Sequence, residues 1–500
     1  MGIFDSVAAV FSTNAAAKRE LAKVAGLVAR GVKRELSLRG YDAARPGRAN
    51  WGWFAASTSA NAEIYGGLVA LRNHSRELVR NNGHAAKAIR VLTNNVVGTG
   101  IMVQARTPNK KLNARINGLF ADWIKICDFN GQLDFYGLQR LAVRGMLEGG
   151  ESVTRLRTVT GAKIPLKLQL LEGDFIDHFK NDQLADGSIK QGIEFDRDGR
   201  RRKFWLFGEH PGEMPIRQPK SYVSNPVPAD QILHLYEILR IGQIRGVPWL
   251  TPGMTTARDL GTYGEAERVR KRIEACVAAI VMGADDPDQE GIAPKVTDSA
   301  GNIVEQFEPG LIAIARGSKD IKFTQPASNG SFHEYKRTEL QELAAAWAVT
   351  YEALTGDLSR VNFSSLKGGQ NQFQREVEII QWLCLVPMWL DGVWRAFIDA
   401  CKVAGEIPQN ASYDYEATTP KFESLDPEQD ANGDVALVRA TFMPPQEAIR
   451  RRGYDPEKVL ADTKAWHEAL VGAGLKSDSD PALSPKTAAA AQAPVAGNKD

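Results

Sequence analysis

An α+β fold is what this 500-residue sequence predicts, on three observations. Apolar residues recur at helical spacing in the first 150 residues and again from about 253 onward. Between them, from Glu151, the period shortens to strands: VTRLRTV, LKLQLLE, QGIEFD, KFWLF and QILHLYE are β-branched or aromatic and separated by turn residues. In the last third, a Ser/Gly/Asn-rich stretch sits between two of the strongest helical segments.

Taken in order, residues 1–50 read as a helical arm. Nine Lys and Arg against four Asp and Glu make it basic, the pattern of a solvated amphipathic helix. Leu71, Leu78, Ala85, Ile89 and Leu92 predict one or two helices over 60–95, closed by the glycines of NNVVGTG. Further helices are expected at 110–127 and 132–150. In the strand region, Asp196-Arg-Asp-Gly199 between GIEF and KFWLF marks a hairpin. As a calcium loop it lacks the remaining ligands. Helical pattern returns at Pro252-Gly253 and runs to about 282, and 285–330 holds short strands. From 332 to about 354 the chain is helical again, and a polar loop follows. One long helix from about 371 to 402 is then interrupted by Pro387, which removes a backbone donor and is expected to kink it. The last twenty-five residues are Ala/Pro/Ser-rich and read as a disordered tail.

Composition narrows the function classes. Sixty-two basic and sixty acidic side chains leave a formal charge of +2, so the chain lacks the basic excess of a simple electrostatic nucleic-acid binder. Four dispersed cysteines form no C-x-x-C pair and read as reduced thiols. No run of 18 apolar residues suggests a membrane span, and the N-terminus has no secretory pattern, which places the chain in a cytoplasm-like compartment. Seven scattered histidines form no metal spacing, and no phosphate loop or G-x-S-x-G elbow is present. Asp174, Asp177, Asp196 and Asp198 are the carboxylates that a metal-dependent enzyme could assemble, but strand-end surface charge explains them as well. The residues favour a structural protein without cofactor or metal.

An ordered set of stretches spanning roughly 40–475 resembles the lambda-type family of tailed-bacteriophage portal proteins. They are YDAARPGRANWGW, STSANAEI, LRNHSRELVRNNGHAAKAI with NNVVGTGI, LLEGDFID, GIEFDRDGR, VPADQILHLYEILRIGQIRGVPWL, YEALTGDLSRVNFSS and RRGYD. The resemblance implies a cyclic ring of about twelve subunits at one capsid vertex. A terminase would pump DNA through its channel, and the DNA would later leave into the tail. Mapped onto this chain, the plan gives the basic arm at 1–50 and an α+β wing at 51–250. Stem helices at 251–284 and 331–353 bracket a β clip at 285–330. A tunnel loop at 354–370 and the long kinked helix at 371–404 follow, then a wing return strand with a helical crown at 405–475 and the tail at 476–500. The loop would offer DNA its Arg360, Asn362, Ser364, Ser365, Lys367 and Gln370, and twelve arginines would form a positive belt that Asp357 partly offsets. The alternative is a connecting loop whose charges face solvent. Trp347, Trp382, Trp389 and Trp394 are candidates for subunit contacts and fit the subunit's own core equally well. Asp285, Asp286, Asp288, Glu290, Lys319 and Lys322 are clip residues that could meet partners. The implied partners are further copies of the chain, double-stranded DNA without sequence preference, the terminase large subunit, head-completion proteins and the major capsid protein, with no membrane. Assembly would occur in host cytoplasm, and the product would reside in the virion. The competing expectations are a metal-dependent phage DNA-processing enzyme and another minor capsid protein.

Overall fold

The computed structural model describes Gly52 and residues 56–213, 223–282, 295–297, 303–305, 311–315, 332–420, 422 and 426–475. Two compact units divide the chain, Met1–Ser59 and Ala60–Asp500. The basic arm, the tail and all six clip candidates (Asp285, Asp286, Asp288, Glu290, Lys319 and Lys322) lie outside the described residues. The architecture below is that of the second unit.

Helices α1 (Ala60–Asn81) and α2 (Gly83–Val97) are separated by a single residue. Asn82 is extended, and its side-chain oxygen accepts the N–H groups of His84 and Ala85. That cap starts a new helix where periodicity alone reads through. β1 (Met102–Ala105), α3 (Lys110–Trp123) and α4 (Phe135–Gly149) follow. α4 ends at Gly150 with φ 87°, where a Cβ would stand 2.7 Å from the Pro248 nitrogen. Glycine is required there.

Strands β2 (Glu151–Thr158) and β3 (Leu166–Glu172) form one antiparallel sheet with β9 (Ile232–Tyr236), in the order β3-β2-β9. A second sheet is a meander of β4 (Asp182–Leu184), β5 (Gly187–Lys190), β6 (Ile193–Asp196), β7 (Arg201–Leu206) and β8 (Asn225–Pro228). The hairpin read from Asp196–Gly199 is present: Asp196 accepts the Arg200 N–H at 2.8 Å, and Gly199 supplies φ 81°. Val153, Ile193, Phe204, Leu206, Val227 and Ile232 fill the space between the sheets. The opposite face of the first sheet packs on α4 and on the long helix of the C-terminal half.

α5 (Met254–Cys276) stops earlier than the helix expected to 284. The chain turns into β10 (Val277–Met282), which pairs in parallel with β13 (Leu311–Ala315). VAAIVM is β-branched, which favours strand over helix. β11 (Lys295–Thr297) and β12 (Ile303–Glu305) form an antiparallel pair. α6 (Phe332–Ala346) is likewise shorter than expected, because Trp347 and Trp249 anchor the chain out of the helix. Trp347 Nε1 donates to the Leu250 carbonyl at 3.1 Å, and Trp249 Nε1 to that of Trp347 at 2.8 Å. Ala348 takes φ 53°, and Thr350 caps the short α7 (Tyr351–Thr355).

The loop expected over 354–370 contracts to 356–362. Asn362 and Ser365 form a capping box that opens α8 (Phe363–Ile379), so Ser364, Ser365, Lys367 and Gln370 lie on a helix. Side-chain caps outweigh the low helix propensity of the Ser/Gly composition. The disturbance expected at Pro387 takes the form of eleven π-helical residues, Ile380–Leu390, after which α9 (Asp391–Val403) continues. Phe363–Val403 is long and apolar enough to cross a membrane, but half of its most apolar window is buried inside the protein, as suits a core helix. β14 (Tyr415–Thr418) returns to pair with β1, and helices α10 (Pro427–Arg439), α11 (Pro445–Arg451) and α12 (Pro456–Ala473) close the unit.

Candidate functional site

The candidate DNA-facing segment is small and internally tied. Asp357 accepts the Ser359 N–H at 3.0 Å and the Tyr351 hydroxyl at 3.2 Å. The Ser359 bonds hold its carboxyl below the usual aspartate range. Arg360 donates to Glu334 of α6 at 2.9 Å, with both side chains more than half exposed. Lys367 reaches Asp430 of α10 at 3.7 Å. Arg360 and Lys367, the basic residues of the segment, therefore each have an acid partner within their own chain.

Beside this segment, one face of α8 lines a cleft of about 1340 Å³ with Lys367, Asn371, Gln374 and Glu378, continued by Trp382 of the π-helical segment. β14 and the closing helices form the other wall. Glu416 of β14 pairs with Arg106 and with Arg450 of α11, tying that helix to the strand pair, and Arg452 pairs with Asp434 of α10 at 2.6 Å, tying α10 to α11.

The tryptophans separate by burial. Trp347, Trp389 and Trp394 are 0–1% exposed, so three of the four subunit-contact candidates belong to the chain's own core. Their indole N–H groups explain the placement: Trp389 donates to Thr154 Oγ1 at 2.8 Å and Trp394 to the Tyr413 carbonyl at 2.9 Å. A buried indole needs such an acceptor. Trp382, 47% exposed, is left at the surface.

Between the two sheets lies a charged cluster. Glu151, fully buried at the start of β2, accepts Arg245 Nε at 2.9 Å, Arg72 Nη2 at 2.7 Å and the Gly246 N–H at 3.2 Å. Burial alone would raise its carboxyl, but Arg245, His234 and Arg72 hold it well below the glutamate range. His234 Nε2 lies 2.9 Å from Glu151, and its Nδ1 faces Arg201 at 3.4 Å. The ring is therefore a neutral Nε2–H tautomer, consistent with burial lowering its pKa to about 4. Arg245 also donates to the carbonyls of Gln191 and Gly173, and Arg72 to that of Gly149. One carboxylate thus joins α1, the first sheet and the 240–250 loop, and His234 extends the cluster to Arg201 of the second sheet.

The four aspartates considered for metal chemistry do not share a site. Asp174 pairs with Arg72 and Arg76, Asp177 accepts Ser224 Oγ at 2.6 Å, Asp196 closes its own turn, and Asp198 stays in that exposed turn. Glu172, Asp174 and His210 do converge, with ligand atoms within 4.8 Å of one another. Arg76 Nη2 donates to both carboxylates, at 2.7 and 2.6 Å, and puts a guanidinium charge where a cation would sit.

A model of the lambda family of phage portal proteins matches residues 46–381. The chain belongs to that family. A probable portal protein of Halomonas phage phiHAP-1 is 26% identical over 449 residues, covering 84% of this chain and 85% of that protein. Portal protein B of Escherichia phage lambda is 19% identical over 500 residues, covering 88% and 92% respectively. Among solved structures, a chain from the neck of an empty gene transfer agent particle, computed with C6 symmetry, superposes with a TM-score of 0.41 at 14% identity, covering 78% of this chain and 94% of that one.

Within this portal-family chain, the residues that sequence reasoning missed are Arg72, Glu151, His234 and Arg245. They are up to 173 positions apart, 72 against 245, and no local motif joins them. One signal was available: Glu151 directly follows two glycines and opens the first strand of the sheet region.

Proposed function

We propose that the chain is the subunit of a portal ring of about twelve copies, closed by one heterologous contact repeated around an axis. The ring encloses a channel through which a terminase drives double-stranded DNA into the head and from which DNA later passes to the tail. It sits at the capsid vertex in the virion, where head-completion proteins and the major capsid protein meet it, after assembly in the host cytoplasm. The observation that carries this reading is the family match across 46–381.

Within this scheme, residues 51–250 with β14 form the wing and α5 with α6 the stem. Residues 285–330 form the clip, 356–362 with the start of α8 the tunnel loop, and the helices after 426 the crown. The role is structural: a guanidinium occupies the acidic cluster that would serve metal-dependent hydrolysis. The paired charges of the loop suit a sleeve that must let DNA slide, since each phosphate neutralised by an unpaired cation deepens binding.

Electron microscopy of the purified full chain, with its mass in solution, tests the reading. A closed ring around a hole wide enough for duplex DNA is expected, and a monomer or dimer under all conditions overturns it. Glu334→Gln frees Arg360 without changing the backbone. Preassembled rings carrying it are expected to bind linear duplex several-fold more tightly, with a steeper dependence of log K on log salt. An unchanged salt slope would mean that Arg360 faces away from the DNA.

A further inference from the structure

Two surfaces at opposite ends of the β2–β9 strand pair each lack what the other carries. Arg155 and Arg157 lie on one face of β2, and Arg157 stands directly opposite Lys167 on β3. Like charges in that position destabilise a sheet. None of the three cations has an ion-pair partner among the described residues. The Arg155 Nε–H is buried without an acceptor. The nearby Asp128 already uses its oxygens on the N–H groups of Asn130, Gln132 and Leu133. Exposed apolar groups adjoin the cations: Arg157 lies over the Phe129 ring at 5.0 Å, and Lys167 bonds the carbonyl of exposed Ile126.

β9 runs antiparallel to β2 and leaves the sheet at Tyr236, opposite Glu151. Glu237 therefore emerges roughly 20 Å from Arg157, at ~3.4 Å per strand residue. Glu376 of α8 stands near it, and neither carboxylate has an ion-pair partner among the described residues. Exposed Ile238, Leu239, Ile379 and Leu383 belong to the same two segments, with Leu239 65% and Leu383 66% accessible. The loop that carries Ile238 and Leu239 is held rigid by Gln243. Its Oε1 accepts the Leu239 and Arg240 N–H groups, and its Nε2 donates to the Glu237 and Arg245 carbonyls. A pre-organised apolar tip loses little entropy on docking.

We infer that the Arg155/Arg157/Lys167 surface of one copy docks on the Glu237/Glu376 surface of the next, and that this is the heterologous contact that closes the ring. Complementary charge and apolar content select a second copy as the occupant of each face. Their placement at opposite ends of one strand pair is what a head-to-tail contact needs. The inference rests on the ring proposed above.

The test uses full-length chains with one face disabled at a time. Arg157→Glu with Lys167→Glu disables the basic face, and Glu376→Lys with Leu383→Asp the acidic one. Each variant alone is expected to lose rings by more than about tenfold while unfolding like the wild type. Mixed one to one, the two variants retain a single live pair of faces, and native mass spectrometry should show a dimer that grows no further. Rings from either variant alone, or a mixture that stays monomeric, overturn the inference while wild-type rings leave the portal reading standing. Should a reversal variant unfold, Arg157→Gln and Glu376→Gln take its place, and undiminished rings from both would equally overturn it. A wild type without rings fails the portal reading itself.

Discussion

Replacing Glu151 by glutamine is expected to destabilise the folded subunit by about 3–5 kcal/mol, because Arg245 would keep its buried charge without a counter-ion and Arg72 would be left with Asp174 alone. Urea unfolding of the full chain reads this directly, and an effect under about 1 kcal/mol would show that the cluster is solvated. The pH dependence has a definite sign. His234 titrates at about 4 in the folded chain, against ~6.5 when unfolded. The unfolded state therefore binds more protons between those values, and stability is full above 6.5 and falls as pH drops toward 4. The loss is on the order of 3 kcal/mol. Glu151, held low, adds a second loss that begins below its unfolded value of ~4.3 and continues as pH falls through its folded pKa. His234→Gln should remove the first limb and leave the second.

Trp389→Ala is expected to cost about 3–5 kcal/mol of subunit stability, the range for deleting a buried aromatic group. The indole stacks on Phe135 at 5.5 Å between ring centroids and donates to Thr154, so its removal opens a cavity and orphans a hydroxyl. Were Trp389 instead a contact between subunits, the same change would leave isolated-chain unfolding untouched and abolish assembly. Trp382→Ala, at the surface, should shift unfolding by less than about 1 kcal/mol.

The elements most legible in the sequence are those whose information is local. The β6–β7 hairpin was readable because Asp196 and Gly199 make the turn themselves, and α2 because Ala85, Ile89 and Leu92 repeat at helical spacing. Whether 60–95 holds one helix or two was not legible, because a single cap residue such as Asn82 hardly alters periodicity. The loop was drawn too long because its composition was weighed above the Asn362–Ser365 box. The tryptophans could not be sorted, since burial depends on partners such as Thr154 and Tyr413 that lie elsewhere in the chain. The pairing of Arg360 with Glu334, 26 positions away, was hidden for the same reason.

The Glu151 cluster also constrains inheritance. A substitution at Arg245 leaves Glu151 with Arg72 as its remaining cation, and one at Glu151 strands Arg245 and leaves Arg72 with Asp174 alone, so no single step out of the arrangement is neutral. The positions are expected to drift together or not at all, while the paired surface charges around them change freely. In a lineage of phages whose portals diverge to low identity, this quartet should then record common descent longer than the 356–362 loop.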